Sequence, residues 1–196
     1  KDEEYELMKK QGFPLPMAQV KGLDDKDKEI PWDGTTIGEL CVKGGAVIRD
    51  HYAMEDESKS LWTEDGWLRL GDLITIDPEG YMTIVDRKKD LIKSGGEFIS
   101  SIELGANIYA HPKVAEVAVV GVPHPKWGER PLAVVVPQPA NKGDITEEEI
   151  LKFIQPKVPR WWLPDEILFV DELPKTSVDK IDKGAVKLKY KDHKLP

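Results

Sequence analysis

VAEVAVVGVPHPKWGERPLAVVVP, residues 114–137, holds two runs rich in valine, VAEVAVVGV (114–122) and PLAVVVP (131–137). Valine is stiff at its first side-chain torsion and favours extended backbone, so each run is expected to be a strand. Downstream, TEEEILKFI (146–154) opens on Thr146 with Glu149 three positions later, a capping-box pattern that starts a helix. EILFVDELP (166–174) reads as a further strand, and KIDKGAVKLKYK (180–191) as a basic helix after a loop rich in Lys, Ser and Thr. Upstream, residues 101–110 read as a helix that Ser100 or Ser101 caps and His111-Pro112 stops. Before it, RKKDLIKSGGEFIS (87–100) runs a basic cluster into Gly95-Gly96, which suits a tight hairpin or loop. The resulting order, β-α-β-β-α-β-α, is that of a compact α+β unit of roughly a hundred residues.

The first half reads differently. GELCVK (38–43) is expected to be a strand with Leu40 and Val42 on one face, ended by a turn at Gly44-Gly45. LITI (73–76) and YMTIV (81–85) flank DPEG (77–80), the turn chemistry of a hairpin. Residues 52–65 can hold a short helix. The first 37 residues, with DDKDKE (24–29) and PWDG (31–34), are expected to be irregular.

Composition sets outer limits. The 196 residues carry 28 Lys+Arg against 36 Asp+Glu, a net charge of -8, with 40% apolar and 33% charged side chains. That mix is too apolar for a disordered chain, and no run approaches the roughly 20 apolar residues of a spanning helix. No transmembrane segment is expected, KDEEYELMKK lacks the apolar core of a signal peptide, and the expected location is cytoplasmic. The single cysteine, Cys41, excludes an intrachain disulfide and a multi-cysteine metal site. His51, His111, His124 and His193 show no ligand spacing. An acidic chain is not expected to bind nucleic acid. The charge is uneven: residues 1–86 carry a net of -10 and residues 87–196 a net of +2, which a solvated acidic face explains and which two units with different partners would also give.

Three stretches, GWLRLGDL (66–73), IVDRKKDLIKSGGEFIS (84–100) and LPKTSVDKIDKG (173–184), in this order and spacing resemble the C-terminal part of the adenylate-forming superfamily. Its members are acyl-CoA synthetases, peptide-synthetase adenylation domains and beetle luciferases. HPKVAEVAVVGVPHPKWGERPLAVVV (111–136) and PRWWLPDEILFVDELPKTS (159–177) resemble its medium- and long-chain fatty acyl-CoA ligase branch. The resemblance runs from about residue 12 to about residue 190. It implies an α+β chain in three parts. Residues 1–86 would be the β-rich end of the large AMP-binding domain, with distorted barrel strands and a hairpin. Residues 87–89 would be a hinge, and residues 90–196 a small, mobile α+β lid.

The implied activity is that of an ATP-dependent fatty acid–CoA ligase, with ATP/AMP, CoA and Mg²⁺ as cofactors and the Mg²⁺ site not on this chain. The phosphate loop of the STGxTGxPK kind, the acyl pocket and most of the adenine site lie upstream in the family. The missing N-terminal domain of the same protein is therefore the expected partner, beside the fatty acid and CoA, and this chain alone is expected to be inactive. Two alternatives stay open: a non-catalytic nucleotide- or CoA-binding module derived from the family, and an adenylating enzyme with a carrier-protein acceptor.

The resemblance also carries residue roles. Asp72 matches the aspartate that accepts from the ribose hydroxyls, and Arg87 the arginine that reaches the same ribose. Lys89 matches the hinge residue. Lys93 with Ser94-Gly95-Gly96 matches the segment that swings towards the acyl-AMP. Lys180 matches the lysine that bridges the substrate carboxylate and the α-phosphate; a point charge on a long flexible stem suits that task. Four places depart from the pattern. Leu70 stands where a threonine is frequent, Asp179 where a glycine precedes the lysine, Glu103-Leu104-Gly105 where Glu-x-Glu is usual, and Asp50-His51-Tyr52 where Gly-Tyr-Tyr is usual. Trp161 and Trp162, like Trp62 and Trp67, are expected to pack rather than to bind.

Overall fold

The structure is a computed structural model that describes residue 4, residues 7–48 and residues 55–196. It divides into two units, Lys1–Lys89 and Asp90–Pro196. Among the described residues no helix is long and apolar enough to cross a membrane.

In the first unit β1 (Ala18–Leu23), β2 (Gly38–Gly44), β3 (Leu68–Ile76) and β4 (Met82–Arg87) pair antiparallel in chain order. A short helix, α1 (Glu55–Ser60), stands between β2 and β3. The DPEG turn closes β3 on β4 as expected. Ile76 faces Met82, and Asp77 both donates its N–H to the Tyr81 carbonyl and accepts the Tyr81 N–H on its side chain. Leu40, Ile74 and Ile76 are buried and collect Val20, Val42 and Met82 around them, so the alternation in β2 delivers Leu40 and Val42 to one face.

The first 37 residues are not all irregular, because β1 lies within them. AQVKGL holds a single β-branched residue and a glycine, so local propensity is poor. Pairing along its whole length with β2, Ala18 against Gly44 through Leu23 against Glu39, supplies what propensity lacks. Gly22 has a packing reason: a Cβ there would come within 2.5 Å of the Ile30 side chain, which fills the space. Trp67 is capped by the Lys21 ammonium 4.4 Å from its ring centroid. The Asp50-His51-Tyr52 departure lies outside the described residues.

In the second unit β5 (Ile92–Ser94) and β6 (Glu97–Ile99) form a hairpin, followed by α2 (Ser101–Tyr109), β7 (Val114–His124), β8 (Gly128–Pro137), α3 (Glu147–Ile154), β9 (Glu166–Phe169) and α4 (Lys183–Lys189). The sheet order is β6-β5-β8-β7, with β9 parallel to β8. Successive residues of a strand point to opposite faces, and both faces of β7–β8 are covered. Val119, Ala133 and Val135 pack with Leu104, Ile108, Ile150 and Ile154 from α2 and α3. Val120, Leu132 and Val134 pack with Val186 of α4 on the other side. Burial on two faces is why the valine runs are continuous rather than alternating.

Two caps follow the sequence, at Ser100 and Thr146, and a third, Asp182, starts the last helix at Lys183 rather than at Lys180. Ser100 Oγ accepts the Glu103 N–H, Thr146 Oγ1 the Glu149 N–H, and Asp182 Oδ1 the Ala185 N–H. The Thr146 box is half made, since the Glu149 carboxylate takes the Lys113 ammonium at 3.1 Å. The strand expected over 166–174 stops at Phe169; Val170 gives one more bond to β8, through its N–H to the Val135 carbonyl, and Leu173 then turns into the core beneath α4.

Gly105 has no backbone reason to be glycine. A Cβ there would stand 3.8 Å from Val119 Cγ2, an ordinary contact. Gly105→Ala is expected to stabilise the second unit by about 1 kcal/mol, the helix-propensity difference. The melting temperature of this unit should rise by roughly 4–8 °C on that basis, as calorimetry would read.

Candidate functional site

The Asp72–Arg87 pair is made by strand register. Asp72 of β3 lies directly opposite Arg87 of β4, with Arg87 Nε 3.5 Å from Asp72 Oδ1. Gly71 precedes them at a φ of 73°, and its carbonyl accepts the Lys88 N–H at 2.8 Å. A side chain would strain that backbone, whereas glycine adopts it freely. The result places two carboxylate acceptors and an exposed guanidinium fork side by side, a set that can accept from and donate to a vicinal diol. Leu70, 45% exposed, offers that site no hydroxyl.

Beyond Arg87 the chain stays tied to the first unit for one more residue. Lys88 Nζ lies 2.8 Å from Glu39 Oε2, and Arg69 Nη1 is 2.9 Å from the same oxygen. Glu39 is buried, and a buried carboxylate needs such partners. Lys89, the expected hinge, follows directly.

The glycine turn of the second unit joins β5 to β6 with φ of 61° at Gly95 and 89° at Gly96. Two successive positive φ values are what a two-residue hairpin turn of the primed kind requires. Gly95 is constrained a second time. Its N–H donates to the Trp127 carbonyl at 2.8 Å, and a Cβ would come within 2.9 Å of the Trp127 ring. Lys93 sits on exposed backbone one residue before the buried Ser94, its N–H donating to Glu129 Oε2 at 3.1 Å. A cavity of about 550 Å³ opens beside the turn, lined by Gly95, Trp127, Arg130, Trp161 and Asp165 among others. Here the two adjacent tryptophans part company. Trp162 packs against the core under β8, as expected, while Trp161 is 42% exposed and stands at the cavity with Trp127.

Lys180 lies on a hairpin-like loop. Thr176 donates its N–H to the Lys180 carbonyl, Asp179 donates to the Thr176 carbonyl, and Lys175 bridges to Ile181. Asp179 has a φ of 61°. This is a tight turn followed by a left-handed residue, the place where a bulged three-residue hairpin loop takes glycine. Lys175 Nζ reaches Glu116 Oε1 at 2.7 Å and Asp179 Oδ1 at 3.5 Å, and the hydrogen bond to Glu116 holds its ammonium above the usual lysine range.

These contacts separate the two lysines. The glycine turn adjoins Gly128, which pairs with His124 at one end of β7. The Lys180 loop is fastened at Glu116, near the other end. Eight residues of strand span roughly 27 Å. Lys93 and Lys180 therefore stand at opposite ends of the β7–β8 ribbon and cannot act on one reacting centre in one pose. Sequence reasoning missed Glu129, Arg130 and Asp165. Arg130 meets its partners 31 to 36 positions away, and no local pattern announces such contacts. Among the described residues no group of three or more His, Cys, Asp or Glu is arranged to hold a metal ion.

Residues 103–180 match the family of the AMP-binding enzyme C-terminal domain. The chain is 44% identical to the 3-methylmercaptopropionyl-CoA ligase of Ruegeria lacuscaerulensis, over 97% of this chain and 34% of the relative. It is 42% identical to the long-chain-fatty-acid–CoA ligase of Thermus thermophilus, over 98% of this chain and 35% of the relative. Among solved structures, ATP-bound MatB from Rhodopseudomonas palustris superposes with a TM-score of 0.82 at 35% identity, covering 94% of this chain and 36% of that one. The o-succinylbenzoate CoA synthetase of Bacillus subtilis, in complex with its acyl-adenylate intermediate, gives a TM-score of 0.83 at 29% identity, covering 95% and 37%. The chain thus spans about a third of the length of the curated relatives it matches.

Proposed function

Because the chain belongs to the adenylate-forming enzymes and carries their C-terminal domain, we propose that it is the C-terminal portion of an ATP-dependent fatty acid–CoA ligase. In the first half-reaction the fatty-acid carboxylate attacks the α-phosphorus of ATP and pyrophosphate leaves. In the second, the CoA thiolate attacks the acyl carbonyl of acyl-AMP and AMP leaves. Asp72 and Arg87 hold the ribose in both. Lys180 places its ammonium between the carboxylate and the α-phosphate, where negative charge gathers in the first transition state. Lys93 and the Gly95-Gly96 turn serve the second half, with Lys89 as the pivot between the two presentations. Mg²⁺ belongs to the proposal as the partner of the ATP phosphates, and no residue of this chain is assigned to it. The upstream part of the same protein supplies the acyl pocket and the phosphate loop. Use of ATP and CoA suits a cytoplasmic enzyme.

The observation that carries this reading is the separation of Lys93 from Lys180 along the β7–β8 ribbon, fixed by the contacts to Gly128 and Glu116. Two half-reactions with different transition states call for two differently armed surfaces, and one rigid unit presents them in turn by rotation.

The test is product analysis by mass spectrometry. The full-length protein is given ATP, Mg²⁺, CoA and fatty acids of several chain lengths, with this chain alone in parallel. Acyl-AMP and acyl-CoA are expected from the full-length protein and neither from this chain. Acyl-AMP without acyl-CoA would point to a carrier-protein acceptor. Neither product, with AMP binding retained, would leave a non-catalytic binding module.

Asp179 gives that last alternative its one structural support. A non-glycine residue at a φ of 61° is strained by on the order of 1 kcal/mol, aspartate less than most, and its carboxylate stands one residue from the lysine that meets the phosphates. Relief of the strain acts on stability, whereas removal of the carboxylate beside the developing anion acts on the barrier, so Asp179→Gly is expected to raise the rate of pyrophosphate exchange severalfold. An unchanged rate would show that Asp179 does not hold adenylation back.

A further inference from the structure

Arg130 stands at the mouth of the cavity beside the glycine turn, where an exposed guanidinium would be read as a phosphate binder. Its bonding excludes that. A guanidinium has five N–H donors, and all five are spent within the second unit. Nε and one Nη2 proton go to Asp165 Oδ1 at 2.9 and 2.6 Å. The other Nη2 proton goes to the Leu163 carbonyl at 3.0 Å. Nη1 donates to the Trp161 carbonyl at 2.8 Å and to Ser94 Oγ at 3.1 Å. The side chain is 12% exposed. No donor is left for a ligand without breaking a bond already made.

The bonds converge on one place. Ser94 is buried and immediately precedes Gly95. Arg130 ties it to the 161–165 segment, whose Trp162 and Leu163 pack on the same core as Ile92 and whose Asp165 N–H donates to the Pro131 carbonyl of β8. The neighbouring residue works on the other side: Glu129 accepts the Lys93 N–H at 3.1 Å and is itself held by Lys187 of α4 at 3.1 Å. Consecutive residues of β8 therefore grip consecutive residues of β5, one through the backbone and one through a hydroxyl. The pairing with β6 runs the length of β5, but towards β8 only Ser94 pairs, against Gly128, with the Gly95 N–H to the Trp127 carbonyl beside it. The turn end of this short hairpin is therefore the part that would fray without the two side-chain bonds.

We propose that Arg130 is a positioning residue for thioester formation: it fixes the Ser94-Gly95-Gly96 turn in the shape in which it meets acyl-AMP, and does not itself touch substrate. The role rests on the reading that this turn serves the second half-reaction. Lysine cannot replace it, having three donors on one atom and no planar fork.

The test uses the full-length protein with Arg130→Lys, Arg130→Ala and Ser94→Ala. Acyl-AMP formation and transfer from supplied acyl-AMP to CoA are measured separately, and amide exchange is followed at residues 93–97. For both arginine variants the transfer kcat is expected to fall tenfold or more, since small misplacements in a reacting assembly are costly. KM for CoA should move less than threefold, acyl-AMP formation less than twofold, and exchange at Gly95 should accelerate while β7 and the rest of β8 stay protected. Ser94→Ala should show a smaller loss that does not add to that of Arg130→Ala. A rise confined to KM for CoA would make Arg130 a ligand contact and overturn the proposal. Equal losses in both half-reactions, or exchange that accelerates throughout the unit, would reduce it to a stability residue. Unchanged exchange at Gly95 would overturn the positioning claim whatever the kinetics. If the parent makes no thioester while Gly95 exchange responds as described, the grip stands and the reading of the turn's function falls.

Discussion

On the proposed role of Lys180, Lys180→Ala in the full-length protein is expected to lower the rate of acyl-AMP formation by about two to three orders of magnitude, the cost of removing one preorganised charge from a site where an anion develops. Transfer of the acyl group from supplied acyl-AMP to CoA is expected to stay within about twofold, because the proposal assigns that step to the other end of the ribbon. The fold should not notice. Lys180 is exposed, and its bonds within the loop are made by its backbone N–H and carbonyl, to Thr176. Among the described residues no carboxylate pairs with its ammonium, so truncation breaks no ion pair and should shift stability by under about 0.5 kcal/mol. Pyrophosphate exchange, thioester transfer and thermal unfolding of the same preparation separate these effects. A parallel fall in both half-reactions would remove the assignment of Lys180 to adenylation.

Lys180, Asp72 and Lys93 are proposed from the family stretches around them, and some backbone features near them are legible for a physical reason. Glycine and capping residues act on their own few bonds. Gly95 and Gly96 do take the positive φ values their turn requires, and Ser100 and Thr146 do close their helix ends, whereas the last helix begins only at Lys183, after an Asp182 cap, and not at Lys180 as expected. The family resemblance, rather than any local signal, marks Asp179 as a residue in a glycine's place, and its φ of 61° agrees. The valine runs were legible as strands, but the doubly buried sheet was not, because continuous apolar runs say nothing of which face meets which helix. β1 escaped notice since its stability lies in its partner strand. Arg130 escaped for the same reason on a larger scale: nothing near it in the chain tells that Ser94, Trp161, Leu163 and Asp165 converge on it. Contacts over tens of residues belong to the fold, and a single sequence holds no local trace of them.

The glycine turn allows two costs to be separated at adjacent positions. Gly96 has a φ of 89° and nothing within 4 Å of a built Cβ, so Gly96→Ala carries the backbone cost alone. That cost is about 1–2 kcal/mol for an L residue in the left-handed region, and transfer should fall by less than about tenfold. Gly95 adds a second cost, because its Cβ would press on the Trp127 ring at 2.9 Å while its own N–H holds the Trp127 carbonyl. Trp127 cannot retreat with its backbone bonded to the residue that pushes it, so the indole must swing into the cavity or the turn must lift from β8. Gly95→Val, branched at the crowded atom, is expected to destabilise the second unit by about 2–3 kcal/mol. Transfer to CoA should drop by about a hundredfold or more, as a displacement of an ångström in a reacting assembly can do. Acyl-AMP formation should survive within several-fold at temperatures where the unit stays folded. Equal transfer rates in Gly96→Ala and Gly95→Val would mean that the Trp127 contact is of no consequence and that the turn needs only its backbone shape.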